Sequence, residues 1–175
     1  RFGKTSLVVK ALRESNRKHI MLNLQSVVST EDFAARLLKE IFKIYKFEKV
    51  KHFIKNFRIV PTISLNPMTD GVDVSIMPMV DNRVLIEDVF ALLQAIASEE
   101  DRLIVVLDEF QEIKSIDKNL DRLLRSIMQL HKNINYLFLG SQESMMREIF
   151  EKKKSPFFHF GQLLHLDKIP YDDFK

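Results

Sequence analysis

Apolar residues recur along this chain with two different periods. Leu7, Val8, Ala11 and Leu12 fall at helical spacing, which predicts a helix over Thr5–Glu14. Ile20, Met21, Leu22 and Leu24 predict a short strand from His19 to Leu24. Ser29 has the side chain of an N-cap, and Asp32 follows in the position of a capping-box-like carboxylate. The helix it opens carries Phe33, Leu37, Leu38, Ile41, Phe42 and Tyr45 on one stripe and is expected to reach about Lys46.

The period then changes to two. Ile59, Pro61, Ile63 and Leu65 alternate with Val60, Thr62 and Ser64; Val72, Val74 and Ile76 alternate with Asp73, Ser75 and Met77. Between them Asn66-Pro67-Met68-Thr69-Asp70-Gly71 is rich in turn formers, so residues 57–80 predict a β-hairpin. Pro61 and Pro78 lack a backbone donor, which places this hairpin at the edge as an insertion.

Helical spacing returns over Ile86–Ser98. The run Leu103–Leu107 is apolar without alternation, the mark of a strand buried on both faces. A helix over Leu120–His131, a strand over Ile134–Leu139, a short helix over Ser144–Phe150 and a last strand over Gln162–Leu166 complete the series. Strands alternating with helices predict an α/β fold, a mainly parallel sheet with helices on both faces.

A length of 175 residues suits one domain, and 46% hydrophobic residues suit a packed core. With no cysteine, disulfides and thiolate metal sites are excluded, and the cytoplasm is the expected compartment. No apolar run approaches the ~20 residues that span a bilayer. A net charge of +3 does not by itself call for nucleic acid. The histidines at 19, 52, 131, 159 and 165 show no metal-ligand spacing.

The candidate chemistry lies where helices begin and strands end. Gly3-Lys4-Thr5 matches the last three positions of G-x-x-x-x-G-K-[ST], whose first glycine would precede Arg1. In such a loop, backbone amides and the helix dipole hold phosphate oxygens. Gly3 lets the backbone approach, Lys4 reaches the outer phosphates, the Thr5 hydroxyl binds magnesium, and Ser6 can donate to an α-phosphate oxygen. The second half is Asp108-Glu109, at the end of the buried strand where ligands of open α/β sheets sit. Asp108 is expected to hold magnesium through a water and Glu109 to polarise the attacking water; the other reading is a strand leaving the core into solvent. Acidic groups beside such an apolar run are costly without a cation or donor. Ser141, ending the next strand, either bonds the γ-phosphate or its water, or caps the helix after it. Gln111 either orients the same water or is an ordinary loop amide.

G-K-T-S at 3–6, L-I-V-V-L-D-E-F-Q at 103–111, Y-L-F-L-G-S at 136–141 and S-P-F-F at 155–158 resemble the archaeal-type P-loop ATPases of the AAA+/STAND group, over nearly the whole chain. The resemblance implies an ASCE P-loop core, with an extra strand between the phosphate-loop strand and the Asp-Glu strand. It assigns Lys4 and Thr5 to phosphate and magnesium, Asp108 to magnesium, Glu109 to the base and Ser141 to the sensor-1 position. It further implies a central strand ahead of Arg1 and a helical or winged-helix part beyond Lys175. Residues 1–175 are then an ATPase core incomplete at its N-terminus and expected, alone, to bind ATP weakly. Arg125 and Arg147, on the helices flanking the sensor strand, are either arginine fingers or surface residues.

Lysines at 43, 46, 49, 51 and 55, interleaved with Tyr45, Phe47, Phe53 and Phe57, fit either a nucleic-acid surface or the solvated face of an amphipathic helix. The sequence therefore points to magnesium-dependent ATP hydrolysis driving a conformational or assembly switch. The other reading is a nucleotide-binding scaffold with little turnover that recruits a protein or nucleic-acid partner. A helicase-like motor lacks its second core and later motifs.

Overall fold

A computed structural model describes residues 3–66, 71–77 and 82–166. Three parallel strands form its main sheet: β1 (His19–Asn23), β4 (Leu103–Asp108) and β5 (Ile134–Phe138), in the order β1-β4-β5. Asn23 stands opposite Asp108, and Leu107 opposite Phe138, so the carboxyl ends of all three strands share one edge. Helices α1 (Lys4–Ser15), α2 (Thr30–Ile44), α4 (Arg83–Ile96), α6 (Leu120–Met128) and α7 (Glu143–Glu151) flank this sheet. Every residue of β4 except Ile104 is buried, as its unbroken apolar run requires. The core centres on Ile20, Leu22, Val105 and Leu107 with Phe33, Leu37, Ile86, Phe90 and Leu93 from the helices.

The start of α2 follows from its sequence. Ser29 is extended, and its Oγ accepts from Asp32 N–H at 3.2 Å. Asp32 reaches back to accept from Val28 N–H at 3.1 Å. Ser29→Ala is expected to lower stability by about 1 kcal/mol through loss of this cap, measured as a shift in the urea midpoint.

Several elements differ from the sequence-based expectation. The second helix stops at Ile44 rather than Lys46, because Tyr45 adopts φ −116° and ψ 129°. Its ring is buried with the Lys18 ammonium 4.7 Å and the Lys49 ammonium 5.3 Å from its centre. Tertiary packing ends the helix where no glycine or proline signals it. A separate helix, α3 (Phe47–Ile54), follows. The hairpin forms as β2 (Thr62–Asn66) antiparallel to β3 (Gly71–Ser75), a sheet of its own with β3 lying against α2. The turn formers 67–70 and Pro78 fall outside the described residues. Arg58 fastens the approach to the hairpin onto α4: its backbone N–H donates to the buried Asp88 at 2.7 Å and its Nε to the same carboxylate at 2.9 Å.

Residues 162–166 form no strand. Ser155–Phe160 instead turn back on themselves, with Phe157 fully buried among Phe110, Phe138 and Phe150. The fourth expected helix ends at Met128 rather than His131. His131 bonds to the Tyr136 hydroxyl at 2.6 Å; burial lowers the histidine pKa and raises that of the phenol, so both are neutral near neutral pH. A 3-10 turn at Phe110–Glu112 and the short α5 (Ile113–Ile116), neither of which the apolar pattern marks, follow the acid pair. On α1 only Leu12 is buried; Leu7, expected on the packed face, is 52% exposed.

Candidate active site

Gly3 caps α1 in the left-handed region, φ 63° and ψ 15°. An added Cβ would meet no atom of the described residues, so the backbone conformation is what favours glycine. No side chain caps the helix, and its first turn presents amides suited to an anion. Gly3 carbonyl accepts from Leu7 N–H at 2.8 Å and closes the first turn.

This start is docked on the sheet edge. Thr5 Oγ1 donates to Asp108 Oδ2 at 3.0 Å, across 103 residues of sequence. Lys4 Nζ donates to the Gly140 carbonyl at 2.9 Å. Asp108 is 5% exposed at the end of β4, and its Oδ1 accepts from Glu109 N–H at 3.0 Å. Glu109 itself has φ 53°, a left-handed turn in a residue other than glycine. That turn directs the chain into the 3-10 segment while Phe110 N–H bonds Leu139 carbonyl at 2.8 Å. Glu109 Oε2 accepts from Ser141 Oγ at 2.7 Å, from Ser141 N–H at 3.2 Å and from Gln111 Nε2 at 2.5 Å. Lys4, Thr5, Asp108, Glu109 and Ser141 thus converge on one edge. Ser6 is exposed and lines, with Thr5, Val9, Lys10 and Arg13, a depression of about 510 Å³ along α1.

The donor set suits magnesium. Thr5 and Asp108 offer hard oxygens, and among the described residues no three His, Asp or Glu side chains gather to hold a metal unaided. Magnesium is commonly held this way, by one or two carboxylates with phosphates and water completing its octahedron. The residue that the sequence undervalued is Gly140. It reads as a strand end, yet its carbonyl is the Lys4 acceptor; the glycine ahead of Ser141 was the available signal.

Other candidates lie elsewhere. Arg125 stacks over Phe160 at 4.3 Å and donates to Gln129, and Arg147 pairs with Glu143 at 2.8 Å. Along 45–57, Tyr45 and Phe57 are buried and Phe47 and Phe53 half-buried, so none of the four interleaved aromatics is fully exposed beside the lysines. In a groove of about 650 Å³ between β1, α2 and β3 the basic residues are already paired: Arg36 with Asp32 and Lys43 with Glu40 in its wall, and Lys39 with Asp73 beyond it. Among the described residues no helix is long and apolar enough to cross a membrane.

Neither a family model nor a curated protein matches the sequence. Among solved structures, a Walker-type ATPase of Pyrococcus abyssi is similar, with a TM-score of 0.55 and 22% identity. The match covers 89% of this chain and 43% of that one, so this chain spans less than half of its neighbour's length. Likeness at that identity is one of fold: α/β, with a parallel sheet flanked by helices.

Proposed function

We propose that this protein binds ATP with magnesium and hydrolyses it, and that the cycle switches its conformation or its assembly. One observation carries the reading: the hydroxyl and carboxylate that would share the ion, Thr5 and Asp108, are in contact at the helix start where triphosphate would lie. Magnesium, when bound, would neutralise charge between the outer phosphates. Lys4 would exchange its Gly140 carbonyl for a phosphate oxygen. Glu109 would take the proton of the attacking water, and Ser141 would hold Glu109 or the γ-phosphate. The AAA+/STAND assignment draws support from the strand order, with β4 between β1 and β5. We assign the switch a protein partner or a second copy of this chain as its target; nucleic acid at residues 43–55 has less support, since the aromatics there are at least half-buried. The absence of cysteine supports a cytoplasmic setting.

Calorimetry on the full-length protein tests the reading. Lys4→Ala is expected to weaken magnesium-ATP binding about 10- to 100-fold, the worth of a charge-assisted hydrogen bond. Equal affinity in the two proteins, or no binding by either, would remove it.

A further inference from the structure

We propose that Gln111 is a positioning residue for Glu109, a buried amide that fixes the carboxylate and packs into the space left by the missing side chain of Gly140. This rests on the reading of Glu109 as the group that activates water.

Gln111 is 4% exposed. Its Nε2 donates to Glu109 Oε2 at 2.5 Å, the same oxygen that Ser141 bonds twice. Two separate segments therefore grip one carboxylate oxygen, the 3-10 turn after β4 and the end of β5. Ser141 is exposed and open to competition from water, whereas Gln111 is not. An amide committed to Glu109 and shielded from solvent does not orient the attacking water itself; it acts through Glu109.

The other half of the amide is equally informative. Gln111 Oε1 is buried and has no hydrogen-bond partner among the described residues. Such an acceptor is destabilising, and an apolar side chain of similar shape would avoid the cost. Packing alone would favour methionine or leucine at this position. Turning the amide over would set its oxygen against the carboxylate, so the observed orientation is the one chemistry selects. The wall around Oε1 is shaped to admit it. A Cβ on Gly140 would lie 2.6 Å from Gln111 Oε1 and 2.5 Å from Met146 Cγ and Sδ. The missing side chain thus leaves room for the amide, while the carbonyl of the same glycine receives Lys4. Gly140 joins the two halves of the site.

The combination predicts opposite signs for stability and chemistry. In the full-length protein, Gln111→Met is expected to lower kcat for ATP roughly 100-fold through loss of carboxylate alignment. The KM for magnesium-ATP should be unchanged, and the thermal midpoint unchanged or raised. In a Glu109→Gln background the same substitution should lower residual turnover no further, because it has nothing left to align. Gln111→Leu provides the same comparison if the methionine variant is insoluble. Wild-type kcat in Gln111→Met, or an equal fold loss in both backgrounds together with a lower midpoint, would overturn the proposal while leaving Glu109 as the base. No turnover by the unmodified protein, or full turnover by Glu109→Gln, would instead remove the functional reading and this proposal with it.

Discussion

Glu109→Gln is expected to lower ATP turnover by roughly 10²–10⁴, the usual worth of a general base, while magnesium-ATP stays bound. The substitution keeps the size and shape of the side chain and removes its capacity to take a proton. It leaves Lys4, Thr5 and Asp108 untouched, and these carry the interactions assigned to binding. Steady-state phosphate release, read beside calorimetry on the same sample, separates the two effects. Turnover that persists with ATP bound would point instead to a scaffold in which nucleotide stabilises a closed form.

Phe110→Ala is expected to destabilise the fold by about 3–5 kcal/mol, the range for a buried aromatic truncated in a core. Marginal stabilities of about 5–15 kcal/mol make that loss severe. Phe110 is fully buried, its ring 4.5 Å from that of Phe138, 5.1 Å from Phe157 and 5.9 Å from Phe150. It stands between Glu109 and Gln111 and is the apolar anchor of the turn that carries both. Chemical denaturation should show a lower midpoint, and turnover should fall with it. The contrast with Glu109→Gln is diagnostic, since that substitution removes the chemistry from an intact core.

The main sheet was legible because its strands obey strong local rules. An unbroken Leu103–Leu107 run has few alternatives to a strand buried on both faces, and structure places it in the middle of the sheet. The meeting of Thr5 with Asp108 was legible because each belongs to a motif whose chemistry requires the other. What remained hidden depended on contacts between distant segments. Tyr45 breaks a helix only through its own burial beside Lys18 and Lys49. Gln111 is polar, and nothing in its neighbours announces that it is buried or that Gly140 makes room for it. The strand expected at 162–166 failed because three leucines in five residues carry little weight without a partner strand. Helix α1 was read correctly but its packed face was not: most of the apolar stripe stays uncovered among the described residues, since periodicity cannot say what an element packs against.

The left-handed backbone of Glu109 has an evolutionary consequence. A residue with a side chain at φ 53° gives up about 1 kcal/mol that glycine would not. Glycine here would relieve the backbone but leave the buried Gln111 amide without its acceptor, a cost of similar size. If Glu109 activates water as proposed, the loss of hydrolysis would free this position from its acid, and an acid kept at so unfavourable a dihedral is explained by the reaction rather than by the turn.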